Sequence, residues 1–209
     1  EAFAMLGSKV SILEGFKLLP KDDADAVDIL RTHLLKLGID IHEGIQVKLV
    51  QALDNKNVQV QIESEAKLIE IEGTHVLIST GRRANVADLG LEAAGVNFSE
   101  KGIQVDARLR CSNKKIYAMG DVVGPFQFTH IANYHAGIVL RNILFRLPAK
   151  VNYHAVPWVT YTYPQIAHVG LLLEEAEKQP CFVITEAFFS DNDKAVITGS
   201  TLGKIKVIS

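Results

Sequence analysis

Residues 115–122, Lys-Ile-Tyr-Ala-Met-Gly-Asp-Val, constrain this chain more than any other stretch. A short apolar run climbs to Gly120, and Asp121 comes directly after it. In physical terms this is a buried strand ending at a turn where backbone and carboxylate face a ligand. Gly120 has no Cβ, so a ligand can come close to the main chain there. Asp121 offers a short, stiff carboxylate that accepts hydrogen bonds from sugar-like hydroxyls. An ordinary strand leading into an aspartate turn accounts for the same residues.

The next twenty residues narrow the choice. After Gly124-Pro125 come Gln127-Phe128-Thr129-His130, then a helical pattern from Ile131 to about Phe145. Thr129 reads as the N-cap, and apolar residues recur at Ile131, Ile138, Val139, Ile143 and Phe145. A strand, an acidic turn and a helix N-terminus therefore lie close together in sequence. Free N–H groups and the positive end of the helix dipole make such an N-terminus a place for negative charge.

The I-Y-A-x-G-D run with its later T-H-x-A helix resembles the second flavin motif of the pyridine nucleotide-disulfide oxidoreductases. That family includes lipoamide dehydrogenase, glutathione reductase and mercuric reductase. The resemblance implies that Asp121 binds the ribityl chain of FAD. It also implies that the helix beyond it points its N-terminus at the flavin pyrimidine ring, with Gly120, Gln127, Phe128, Thr129 and His130 lining the cofactor. Reduction leaves negative charge on that ring edge, which a helix N-terminus stabilises.

Composition sets the outer bounds. The chain has 209 residues, 48% apolar and 22% charged, which is globular rather than disordered. A net charge of −2 gives no reason to expect nucleic acid or an anionic membrane as partner. No apolar run reaches membrane-spanning length, and no signal-peptide pattern opens the chain. Cys111 and Cys181 form no C-x-x-C or metal spacing. Two lone cysteines suit a reducing compartment, so the cytoplasm is expected. Residues 1–7 read as the end of a helix closed by Gly7, as expected for a piece of something longer.

From Lys9 to Glu14 the chain reads as a short strand ending in an acid. Helix, glycine, strand and terminal acid form the second half of a Rossmann unit, in which the acid accepts ribose hydroxyls. Glu14 is the residue in that place, and a solvated acid at a strand end is the plainer alternative. A 2′-phosphate would be repelled by Glu14, which favours NAD over NADP, although Lys17 weakens that preference. Pro20 to Asp25 is a helix start signal, with Asp22, Asp23 and Asp25 read as capping and dipole residues rather than as a metal site. Ala24 to Leu37 is then a helix with Val27, Leu30, Leu34 and Leu37 on its buried stripe, ended by Gly38.

Ile39 to Ile41 reads as a strand. Val47 to Leu53, Val58 to Ile62 and Leu68 to Ile71 alternate apolar with polar, as in a three-stranded antiparallel meander. His75 to Ser79 reads as an apolar strand running into Thr80-Gly81-Arg82-Arg83. This S-T-G-R-R-A-N stretch resembles the family's A-T-G-R-x-P-N motif, where the chain passes from the NAD domain back to the FAD domain, and the resemblance places Gly81 near the cofactor. Ala84 stands where proline is usual. The double arginine also fits a solvated basic turn. Leu89 to Gly95 reads as a helical turn, Ile103 to Asp106 as a strand, and Cys111 as a small residue without redox role. His130 and His135 fall on different helix faces, so neither a metal pair nor a proton-transfer role is assigned to them.

From Pro148 the composition shifts. Residues 153–170 resemble the opening of the family's dimerisation domain, with Tyr163 where an acid usually precedes Pro164. Asn192-Asp193-Lys194-Ala195 resembles the family's D-R-A turn. Phe182 to Phe189, Ala195 to Thr198 and Lys204 to Ile208 read as strands, and Leu173 to Lys178 as a helix. The wording of residues 146–150 leans toward the mercuric reductase-like branch.

The expected fold is α/β. Residues 1–84 form a partial Rossmann-like NAD domain without its first strand and glycine loop. Residues 85–150 form the returning C-terminal segment of an FAD domain, and residues 151–209 a truncated α+β dimerisation domain. The resemblance implies FAD and NAD(P)H as cofactors and a homodimer in the parent protein. It also implies electron transfer from NAD(P)H through flavin to a disulfide or mercuric-type acceptor. No G-x-G-x-x-G, no C-x-x-x-x-C pair and no catalytic residue is found in this sequence. The chain alone is therefore expected to be inactive. A non-enzymatic nucleotide-binding or dimerisation module is the alternative, and an NAD-only regulatory domain a third reading.

Overall fold

The computed structural model describes residues 1–54, 56–124 and 126–209. The chain divides into two compact units, residues 1–77 with 157–209 and residues 78–156. The α/β class expected from sequence is what forms.

The first unit starts with the short helix α1 (Ala2–Met5), which leads through Gly7 into β1 (Ser11–Glu14). Helix α2 (Ala24–Lys36) crosses to β2 (Asp40–Glu43), which pairs parallel to β1 with Glu14 opposite Glu43. This is a βαβ unit, and its helix ends where the sequence says it should. Gly38 has φ +75°, and the N–H groups of Gly38 and Ile39 return to the carbonyls of Leu35 and Leu34. That is the Schellman closure, with Ile39 and Leu34 both buried beside it. Val27, Leu30, Leu34, Ile39 and Ile166 form the core, with Val10, Ile12 and Ile41 packed against them. Leu37, expected on the buried stripe, is the C-cap and only partly buried.

Strands β3 (Gln46–Ala52), β4 (Val58–Ser64) and β5 (Lys67–Gly73) form the antiparallel meander, in the order β3-β4-β5. The central strand buries Val60 and Ile62, while its neighbours keep most side chains exposed. Glu65 and Ala66 make the β4–β5 turn with φ +49° and +61°. Two left-handed residues in a two-residue loop match the twist of a hairpin, even though neither is glycine.

His75 to Ser79 does not form the expected strand. The run is irregular, with Leu77 and Ile78 78% and 74% exposed. A strand exists through hydrogen bonds to a neighbour, and no strand among the described residues pairs with this run.

In the second unit the hairpin of β6 (Phe98–Ser99) and β7 (Gly102–Ile103) precedes a 3₁₀ turn at Gly120–Val123 and helix α3 (Thr129–Ile143). Leu91, Val96, Ile103, Cys111 and Ala118 form its core. The strand expected over residues 115–119 is reduced to one bridge between Arg110 and Tyr117, flanked by Cys111 N–H to Ile116 and Ala118 N–H to Leu109. The strand expected over Ile103–Asp106 shrinks to β7, and the helical turn over Leu89–Gly95 is a set of turns.

The chain then supplies the rest of the first unit: β8 (Trp158–Thr160), β9 (Ile166–His168), α4 (Leu173–Ala176), β10 (Ile184–Phe188), α5 (Asp193–Ile197) and β11 (Lys204–Ile208). β8 and β9 pair antiparallel, as do β10 and β11. Ala195 to Thr198, expected as a strand, is helical because Asn192 caps α5 by accepting from the Ala195 N–H. That capping signal outweighs the β-branched residues.

The three acids at the start of α2 tie this unit together. Asp23 is the N-cap, accepting from the N–H groups of Asp25 and Ala26. Its carboxylate also bonds Lys206 Nζ at 3.0 Å. Asp22 accepts from Trp158 Nε1 at 3.0 Å and from Thr160 Oγ1 at 3.1 Å. Asp25 takes Lys206 and Lys204 at 2.5 and 3.0 Å, and these two ammonium groups hold its carboxyl below the usual range.

A group whose folded pKa is depressed stabilises the fold above its unfolded pKa, and that stability is lost as pH falls through the folded value. Replacing Asp25 by asparagine should therefore flatten the loss of stability below about pH 4. Urea titrations at several acidic pH values would show this, and an unchanged slope would count against the assignment.

Candidate functional site

The sequence pointed to the Gly120–Asp121 turn and the start of α3, and the second unit brings further groups to both. Gly120 is buried with φ +74°, and a Cβ there would lie 3.2 Å from Ala132 Cβ. Its absent side chain thus serves the close seating of the turn on α3. The Gly120 N–H donates to His135 Nδ1 at 3.1 Å. Asp121 comes next with its side chain 55% exposed, so its carboxylate stands at the surface while the preceding residue is locked inside.

Gly102, which the sequence reading did not single out, supports the same turn from the other side. Its φ is +130°, and a Cβ would lie 2.4 Å from the Val122 carbonyl oxygen. The signal was a polar Glu100-Lys101-Gly102 turn, which says nothing about what packs on it.

Arg82 joins the turn to the helix entrance. Its Nη2 donates to the Gln127 carbonyl at 2.9 Å, and its Nη1 lies 3.7 Å from Asp121 Oδ2. Gly81 beside it is exposed with φ +123° and has open space where a Cβ would stand. The basic-turn reading left Arg82 solvated, whereas the structure gives it two partners more than thirty residues away in sequence. Both arginine contacts are exposed, so their value lies in orientation more than in stability.

Thr129 is not the N-cap. Phe128 takes that position with extended backbone, Thr129 is the first helical residue, and the Phe128 side chain offers no cap. Phe128 stacks on His130 with ring centroids 5.4 Å apart, and Thr129 and His130 are exposed. On the buried face, Ile131, His135 and Ile138 replace the longer apolar stripe expected, and Ile143 and Phe145 are exposed. His135 Nε2 lies 2.8 Å from the Tyr153 hydroxyl. Burial lowers the pKa of His135 and raises that of Tyr153.

Glu14 belongs to the first unit, as the last residue of β1. It accepts from the Phe16 N–H at 3.0 Å. Its register partner Glu43 is engaged by Arg31, whose Nη2 bonds it at 2.9 Å, and by the Leu18 N–H. The Arg31 bonds hold Glu43 below the usual carboxylate range, and the charge of Lys17 acts in the same direction. Of two neighbouring strand-end acids, Glu43 is thus committed to an ion pair. Cys111 is 1% exposed in the core, and burial raises its thiol pKa, as suits a packing residue. Among the described residues no cluster of three His, Cys, Asp or Glu side chains is arranged to hold a metal ion. No helix there is long and apolar enough to cross a membrane.

A parallel βαβ unit, an antiparallel meander and a glycine-aspartate turn leading into a helix are thus present in this order. The chain belongs to the pyridine nucleotide-disulphide oxidoreductase family, which it matches over residues 1–136, with that family's dimerisation domain matching residues 156–209. It is 34% identical to a mercuric reductase of Bacillus cereus, over 100% of this chain and 33% of the relative. It is 33% identical to a dihydrolipoyl dehydrogenase of Bacillus subtilis (strain 168), over 99% of this chain and 45% of the relative. Among solved structures, the HOCl-induced flavoprotein disulfide reductase RclA from Escherichia coli superposes with a TM-score of 0.84 at 32% identity, over 99% of this chain and 47% of that one. The chain thus spans less than half the length of these relatives.

The turn itself provides a test. Replacing Gly102 by alanine puts a Cβ against backbone and holds the residue at positive φ, so it should destabilise the fold by about 1–3 kcal/mol. Thermal or urea unfolding measures this directly. A variant as stable as the wild type would mean that the turn tolerates displacement.

Proposed function

We propose that the chain is part of an FAD-dependent oxidoreductase passing electrons from NAD(P)H through flavin to a disulfide or mercuric-type acceptor. The observation that carries this reading is Asp121. Its carboxylate is held at the surface by a buried glycine, in the 3₁₀ turn that precedes a helix whose N-cap residue, Phe128, makes no side-chain cap. A carboxylate accepts from the hydroxyls of a polyol chain, and an uncapped helix start favours an electron-rich ring edge. Those two donor and acceptor sets fit the flavin in the manner the family resemblance implies. Arg82 orients both by bonding the Gln127 carbonyl and facing Asp121.

In this reading residues 1–84 belong to an NAD-binding domain, 85–150 to the FAD-binding domain and 151–209 to a dimerisation domain. Gly81, Gly120, Asp121, Gln127, Phe128, Thr129 and His130 serve the flavin, and Glu14 reads the nicotinamide cofactor's ribose. No redox cysteine pair and no catalytic residue is assigned among these 209 residues. The dimerisation-domain match supports a homodimer. The two unpaired cysteines support a cytoplasmic setting.

Asp121 provides the direct test. In the full-length gene product, Asp121→Ala should weaken FAD binding by roughly 1.5–3 kcal/mol, the value of a charge-assisted hydrogen bond. Absorbance in the flavin band after purification reads the retained cofactor, and undiminished flavin would sink the assignment. Glu14 makes a separate claim: its charge at the ribose should give NADH a higher kcat/KM than NADPH. Steady-state kinetics with both cofactors decides it, and a preference for NADPH would place Glu14 elsewhere.

A further inference from the structure

Helix α3 buries a histidine at a position where an apolar side chain would satisfy packing. His135 is 3% exposed, between Ile131 and Ile138 on the inward face. Both of its ring nitrogens are engaged, by the Gly120 N–H at 3.1 Å and by the Tyr153 hydroxyl at 2.8 Å. An N–H pointing at Nδ1 requires a lone pair there. The ring is therefore neutral, and its proton sits on Nε2, donating to Tyr153 Oη. Protonating Nδ1 would set two N–H groups head to head and push Gly120 away.

Few groups bear on this ring. Tyr153 faces it from the segment after α3, and Tyr134 lies on α3 itself with its ring centroid 6.1 Å away. Asp121, next to Gly120 in the 3₁₀ turn, is turned to Arg82. No carboxylate among the described residues bonds the imidazole, so nothing nearby stabilises a charged form.

We propose that neutral His135 is a positioning residue: it holds the Gly120 backbone, thereby aims Asp121 at the cofactor, and on protonation releases both the turn and the flavin. For its ligand this rests on the flavin reading above, whereas the dependence of the turn on His135 stands on the geometry alone. Burial lowers the His135 pKa, which keeps the grip intact at neutral pH and moves its release below the usual histidine range. The same shift sets the sign for folding. The unfolded chain takes up the proton below about pH 6.5 while the folded chain does not, so stability is lost as pH falls from there toward the folded value.

Two substitutions separate the grip from the packing. Asparagine at position 135 places its Oδ1 near the former Nδ1, and so accepts from Gly120 without titrating. Leucine fills the space and offers no acceptor. In the full-length gene product at about pH 7.5, His135→Asn should bind FAD within about threefold of wild type, and His135→Leu roughly tenfold more weakly. Between about pH 7.5 and about pH 5 the wild-type affinity should fall while that of His135→Asn stays level. In the apoprotein, the melting-temperature advantage of wild type over His135→Asn should shrink across the same range.

An asparagine variant as weak as the leucine one, or a wild-type affinity as insensitive to pH as the asparagine variant, overturns the proposal. A wild-type protein that binds no FAD overturns the flavin reading instead. The apoprotein melting series then decides the grip, which is refuted if the advantage does not shrink in acid.

Discussion

Helix α2 begins on three aspartates, and each of them meets groups from the far end of the chain. Asp22 takes the Trp158 indole and the Thr160 hydroxyl, Asp23 takes Lys206, and Asp25 takes Lys204 and Lys206. The first unit exists as one body because residues 157–209 return to this helix start, where Ile166 also enters the α2 core. Lys204 and Lys206 keep only 14% and 11% of their side-chain surface exposed. Burial opposes the Lys206 charge, and the two aspartates outweigh it. Removing one side of such a network leaves a charge unpaired away from water, which costs far more than the pair contributes. The same carboxylates complement the α2 dipole, so a single cluster fixes where the helix starts and what docks on it.

The second unit uses a helix start in the opposite sense. The N-cap of α3, Phe128, offers no side-chain cap, and the first turn carries no acid to match its positive end. The acid instead stands earlier in the chain, on Asp121, held out by a glycine whose backbone is pinned from inside by His135 and Ala132. Rigidity beneath and exposure above is the arrangement that a binding turn needs, because a carboxylate aimed by its backbone loses less entropy on meeting a ligand. Arg82 adds a second point of control at the surface, where it can exchange partners without disturbing the core.

Much of this was legible in the residues. The α2 stripe with its closing Gly38 and the alternating meander strands are local signals, written in periodicity and turn chemistry. The Lys204–Ile208 strand was legible from the same signals. The Gly-Asp turn before a helix was read through its resemblance to the family's flavin motif, since the residues alone also fit an ordinary aspartate turn. Two of the missed strands share a cause. His75 to Ser79 has the composition of a strand and no described neighbour to pair with, and residues 115–119 found only a single bridge. Composition proposes a strand, but hydrogen bonds to a second strand make one.

His135, Arg82 and Gly102 show the other limit. A lone histidine within an apolar stripe carries no mark saying that its Nδ1 receives a glycine N–H from fifteen residues away. Nor does a pair of arginines in a turn announce a bond to the Gln127 carbonyl. The three aspartates read as a helix cap, which Asp23 is, yet their partners lie 136 to 183 residues distant. The sequence by itself determined the class of fold, the bounds of α2, α3 and the meander strands within a few residues, and the turn that carries Asp121. Those depend on neighbours along the chain. Only the tertiary structure decided which acids are occupied, which histidine is buried and what holds the turn behind Asp121, because each of those depends on a group brought close by folding.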